Sequence, residues 1–192
     1  MAHYDPVWSL REARERYFER NGFGASGGYD EKWVKLAFGP LRFAFPNTPG
    51  RVRAVRYHDL HHVVTGYDTS WTGEAEIGAW EVASSCRDHV AAWLLNLYAM
   101  GVGLVIAPGA VWRAFLRGRH SHNLYAEPFG DALLDESVGA MRRRLALETP
   151  PPRATPGDRL RFTGWSTAAV GLATASGAPL WALLFWFVTR NA

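Results

Sequence analysis

Residues 56–74, RYHDLHHVVTGYDTSWTGE, decide how this chain is read. His58 and His62 are four apart, so on a helix they project from one face, one turn above the other. Asp59, three before His62, adds a carboxylate to the same patch. Gly66 and Gly73 allow the chain to reverse and lay a second helix, carrying Glu74, beside the first. At about 100° per residue, Val55, Asp59, His62 and His58 share an arc of about a third of a turn, whereas His61 lies well away from Asp59. His61 is therefore not read as a metal ligand: it either supports the substrate or a ligand side chain, or is an ordinary surface or packing histidine. Two imidazoles and two carboxylates converging from neighbouring helices form a ligand set for one divalent metal ion. Structural zinc sites usually contain cysteine, so an all-His/carboxylate set points to chemistry or binding. Plainer readings stand beside this one. A His-Asp-x-x-His run also describes a solvated helix face, and the helix dipole alone favours Glu74 in a first turn. Glu81, two turns further on, is either a hydrogen-bond partner of a ligand imidazole or a solvated glutamate.

Working outward, the fold class expected is all-α, a single helical domain built around a two-helix metal site. Asp5-Pro6 reads as a helix start, with Val7, Leu10, Tyr17 and Phe18 at helical spacing and Asn21-Gly22 as the stop. Asp30 opens a short helix through Trp33, Leu36 and Ala37 that ends at Gly39. Pro40 to Pro46 is apolar but proline-bounded and is assigned to neither helix nor strand. Thr48-Pro49 caps the helix that carries the histidines, and Thr72 is read as the cap of the Glu74 helix. That second helix is expected to run on through Arg87-Asp88-His89 into the apolar stretch 91–112, which Pro108-Gly109 breaks. His120 and His122 follow on a loop, and Asp131 to Leu147 is read as the last helix of the domain.

The frame His58-Asp59-x-x-His62, eleven residues, then Glu74 resembles the signature of a ubiquinone (coenzyme Q) biosynthesis family, whose members are named as the fourth protein of the yeast coenzyme Q pathway. The resemblance extends to YFERNGFG (17–24), FPNTPGRVRAV (45–55), the spacing from Glu74 to Glu81 and a weaker tail over 117–147. It implies a helical, membrane-associated protein with a divalent ion, zinc or a redox metal such as iron or manganese, on His58, Asp59, His62 and Glu74. It also implies a prenylated hydroxybenzoate-type precursor as ligand and other quinone-biosynthesis proteins as partners. The activity implied is oxidative removal of the ring carboxylate. A lipid-presenting scaffold and a metal-dependent hydrolase of a membrane-borne substrate stay open as alternatives. Trp80, Trp93, Leu97 and Met100 are the candidates to line a path for a long apolar tail.

Composition sets the remaining bounds. With 192 residues the chain suffices for one domain plus an appendage. The net charge of +3 comes without a basic stripe of stacking aromatics, so nucleic acid is not an expected partner. A single cysteine, Cys86, excludes an intrachain disulfide and fits a reducing compartment. Residues 148–164, rich in proline, read as a linker. Residues 165–189 carry no charge and, as a helix, would reach about 37 Å, enough to cross a hydrocarbon core of about 30 Å. This makes 165–190 a C-terminal membrane anchor in expectation. The denser arginines before it place the domain on the cytoplasmic side of the inner membrane. A homodimer is compatible with the sequence.

Overall fold

A computed structural model describes the backbone of residues 4–38 and 41–190, and the side chains of all of these except 36–38, 41–43 and 177–190. The chain is mostly helical, as expected. Helix α1 spans Leu10–Asn21 and starts later than Asp5 suggested, because Ser9 and Glu12 form a reciprocal capping box. It closes on Gly22, whose φ of 67° is the left-handed conformation that a side chain disfavours.

The segment read as a short helix after Asp30 is a hairpin instead. Strand β1, Trp33–Phe38, pairs antiparallel with β2, Leu41–Pro46, with Trp33 opposite Pro46 and Phe38 opposite Leu41. A helix of one or two turns has little to offset its nucleation cost. A pair of aromatic and β-branched runs of equal length pairs its backbone along the whole ladder.

Helix α2, Pro49–Thr65, begins and ends where its sequence says. Thr48 accepts the Arg51 N–H, Pro49 sits in the first turn, and Gly66 closes the helix at a φ of 78°. Helix α3, Trp71–Ser84, is capped two residues earlier than expected, by Ser70, whose hydroxyl accepts the Gly73 N–H. It does not run on into the apolar stretch. Ser85 and Arg87 both take positive φ, and α4, Val90–Ile106, turns back to pack along α3. The Asn123 amide holds this corner by donating to Ser84 Oγ at 2.8 Å and to the Ser85 carbonyl at 3.0 Å. After the break before Pro108, α5, Pro108–Arg119, also packs against α3. Glycines allow these close approaches: a Cβ on Gly118 would stand 2.4 Å from the Trp80 carbonyl oxygen, and one on Gly103 2.4 Å from Ala75 Cβ.

The helix expected over 131–147 is divided into α6, Asp131–Leu134, and α7, Val138–Arg144, because Ser137 caps a new turn at the Ala140 N–H. Helix α8, Pro156–Arg190, takes up the second half of the expected linker. Its first turns are docked: Phe162 packs edge-on against Trp112 and Phe115, Trp165 stacks on Trp93 at 5.0 Å, and Ala169 is buried. The expected anchor begins within this docked part, and its second half, 177–190, lies outside the residues whose side chains are described. Among the described residues no helix is long and apolar enough to cross a membrane.

Candidate metal centre

The site forms where the C-terminal half of α2 meets the first turn of α3. The return loop between them is pinned by Asp68, which accepts the Ser70 N–H at 2.9 Å. It lies so close to α3 that a Cβ on Gly73 would stand 2.1 Å from the Asp68 carbonyl oxygen. Glu74, the next residue, is thereby carried to the two histidines.

His58, His62 and Glu74 present ligand atoms that all lie within 4.8 Å of one another. The Nε2 atoms of His58 and His62 are 3.1 Å apart, and the Glu74 carboxylate oxygens lie 3.4 Å from His58 Nε2 and 3.5 Å from His62 Nε2. Metal–ligand bonds of about 2.0–2.2 Å at tetrahedral or octahedral angles separate neighbouring ligand atoms by roughly 2.9–3.5 Å, so the spacing fits one divalent ion. The outer nitrogens support the same assignment. His58 Nδ1 lies 2.8 Å from Glu81 Oε1, and His62 Nδ1 lies 3.0 Å from the Tyr67 carbonyl. Both partners accept, so both imidazoles carry a proton on Nδ1, and Nε2 is the atom each would offer to an ion. Metal-binding histidines are held this way. His62 is buried and stacks on Tyr17 at 5.3 Å, whereas the Glu74 side chain is 36% exposed, so the centre opens toward solvent on the Glu74 side.

Charge is arranged to match. Burial opposes the charged form of His58, but Glu81 and Glu74 outweigh it and hold the group well above the usual imidazole range. Burial likewise opposes ionised Glu74, yet the facing imidazoles hold it well below the usual carboxylate range.

The remaining sequence candidates fall differently. Asp59 stands beside the trio but outside the converging group. Its Oδ2 accepts the Tyr29 hydroxyl at 2.5 Å, and burial pushes its carboxyl up. Glu81 is fully buried and bonded to His58, not a solvated glutamate. Trp80 and Met100 are fully buried in the core, and Trp93 and Leu97 pack against it. Recesses among the described residues include one of about 500 Å³ between Tyr29, Arg56 and Phe129 and one of about 540 Å³ between Leu104, Phe162 and Val170. None of the four tail-lining candidates borders either. Among the described residues His120 and His122 form no second cluster of metal-ligand type. Sequence reading missed Tyr29, Asn96, Tyr125 and the Tyr67 carbonyl, none of which shares a periodic spacing with the motif. No protein-family model, curated protein or solved structure matches the chain.

Proposed function

We propose that this chain is a metal-binding protein of prenyl-quinone biosynthesis. In this reading it binds a prenylated hydroxybenzoate-type precursor and catalyses oxidative decarboxylation at the ring carbon that bears the carboxylate. The observation that carries it is the pair of inward Nε2 atoms 3.1 Å apart with both Nδ1 atoms tied back. The link to quinone chemistry rests on the motif's resemblance to the coenzyme Q family. Two histidines and one carboxylate with open positions are the ligand set used by zinc hydrolases and by non-haem iron oxygenases. Bound there, a divalent ion supplies a Lewis acid for an oxyanion, and iron or manganese adds a change of oxidation state that zinc lacks.

The chain's own residues bear on the choice of reaction. His58, His62 and Glu74 hold the ion, and the exposed edge at Glu74 admits the polar head of a substrate. Glu81 already accepts four hydrogen bonds, so it has no lone pair for activating water, which weighs against the hydrolase. In the decarboxylation the bond from ring to carboxylate breaks, carbon dioxide leaves and a hydroxyl takes its place. This is a net two-electron oxidation of the substrate: with water supplying the hydroxyl oxygen, dioxygen accepts the two electrons and two protons and leaves as hydrogen peroxide.

Attachment to a membrane belongs to the same reading. Val90, Leu94, Leu95, Val102, Val105 and Ile106 expose apolar surface along α4, and α8 continues from its docked turns into a charge-free run. The test supplies iron or manganese, dioxygen and a carboxylated prenyl phenol to the purified protein and follows the products by mass spectrometry. The hydroxylated, carboxylate-free product is expected, and His62→Ala should abolish both it and stoichiometric metal. Ligand bound but returned unchanged would instead identify a scaffold. Cleavage across a panel of esters would identify a hydrolase.

A further inference from the structure

Glu81 lies at the centre of a closed hydrogen-bond arrangement that reaches beyond the three ligands. Its Oε1 accepts from His58 Nδ1 and from His61 Nδ1, each at 2.8 Å. Its Oε2 accepts from the Asn96 side-chain amide and from the Tyr125 hydroxyl. A carboxylate offers about four acceptor positions, and here all four are taken. Two of the donors come from α2, one from α4, and one from the loop after α5.

His61 is the least replaceable member of this set. Its Nε2 lies 3.0 Å from the Leu124 backbone N–H, which can only donate, so Nε2 accepts and the ring proton is on Nδ1. The Nδ1–H then points at Glu81 Oε1. The ring is fully buried, edge-on to Trp80 at 5.1 Å and to Tyr125 at 4.9 Å, so it cannot swing away. The oxygen that orients His58 is therefore itself held in place by His61.

We propose that His61 is a positioning residue of the metal centre: acting through Glu81 Oε1, it fixes the tautomer and ring plane with which His58 meets the ion. This rests on the reading of His58, His62 and Glu74 as metal ligands. His61 touches neither the ion nor the substrate. Its effect passes along Leu124 N–H to His61 to Glu81 to His58, so closure of the loop after α5 is tied to the geometry of the ligand set. Outer hydrogen-bond partners of ligand histidines typically influence metal affinity by about 10–100-fold.

The test uses the full chain and Co(II), whose visible absorption reports ligand geometry. His61→Leu removes the donor to Glu81. His61→Asn returns an N–H near the place of Nδ1 but cannot accept from Leu124. His61→Leu is expected to weaken Co(II) binding about tenfold or more and to shift its visible bands, and His61→Asn to restore most of both. A purely structural role predicts that Leu and Asn lose equally, or that His61→Leu keeps the parental affinity and spectrum. Either result overturns the proposal. Nitrogen-15 correlation spectra of the unaltered protein give a readout that does not depend on a variant folding. With zinc bound, His58 and His61 must both show the Nδ1–H tautomer, and an Nε2–H on neutral His61 would overturn the proposal. A parent chain that takes up no Co(II) overturns the underlying metal reading and this proposal with it. The parental control separates that case from failure of His61 alone.

Discussion

The hydroxyl of Tyr29 lies 2.5 Å from Oδ2 of Asp59, and Asp59 is only 5% exposed. A buried carboxylate that loses its donor keeps its desolvation cost, which is larger than the net worth of the bond itself. Tyr29→Phe should therefore destabilise the metal-free protein by about 1–3 kcal/mol, read as a lower midpoint in urea. An unchanged midpoint would mean that Asp59 finds another partner, with the open face of the metal trio the nearest candidate. The same residue shows why Asp59 and Glu74, both carboxylates near the histidines, are not equivalent. One is engaged with a phenol and the other with two imidazoles.

Between helices, close approach decides the packing. Helix α3 packs against both α4 and α5, and Gly118 lets α5 reach the backbone of Trp80, one residue before Glu81. Alanine at 118 would gain up to about 1 kcal/mol in helix propensity. Against this, its Cβ would stand 2.4 Å from a carbonyl oxygen that cannot easily move. Overpacking of this kind typically costs about 1–3 kcal/mol, so Gly118→Ala should lower the melting temperature. Gly50→Ala, which meets nothing within 4 Å, should not lower it. Equal effects at the two sites would show that propensity, not contact, governs.

The start of α8 has its own pH dependence. Asp158 accepts the Thr155 N–H at 3.0 Å and the Thr155 hydroxyl at 2.7 Å, with Arg119 at 3.3 Å. The Thr155 backbone bond first, then the hydroxyl and Arg119, hold its carboxyl down at about 2 against an ordinary 3.8. A carboxyl lowered on folding contributes stability above its unfolded value and loses it as the pH falls toward the folded one. Amide exchange over 158–162 should therefore quicken between about pH 4 and pH 2. Asp158→Asn should remove that dependence, and a profile that survives the substitution would assign it to another group.

Across the molecule, the docked turns of α8 change what a truncation can be expected to do. Removing everything after residue 155 strips Phe162 from Trp112 and Phe115, Trp165 from Trp93, and Ala169 from its buried position. Ending the chain after Ser176 keeps all three contacts. The shorter form should melt clearly below the longer one. If the two melt alike, the docked turns contribute little to the core and 148–164 acts as the linker its composition suggests.

Sequence alone determined the features whose causes are local. Thr48-Pro49 and Gly66 bound α2, Gly22 closes α1 and the proline at 108 ends α4, because caps and stops act over three or four residues. The four-residue spacing brought His58 and His62 together for the same reason, and Gly66 and Gly73 allowed the return that delivers Glu74. Tertiary structure decided whatever depends on a distant partner. The run after Ser84 turns back instead of extending, with Asn123, 38 residues on from Ser85, holding the corner. Residues 33–38 and 41–46 pair as strands because each half supplies the other's hydrogen bonds. His61, set apart by its helical angle, reaches Glu81, and through it His58, with a ring held by the backbone N–H of Leu124, 63 residues away. A helical angle states which face a side chain leaves from, and only the packed fold states which groups will meet it there.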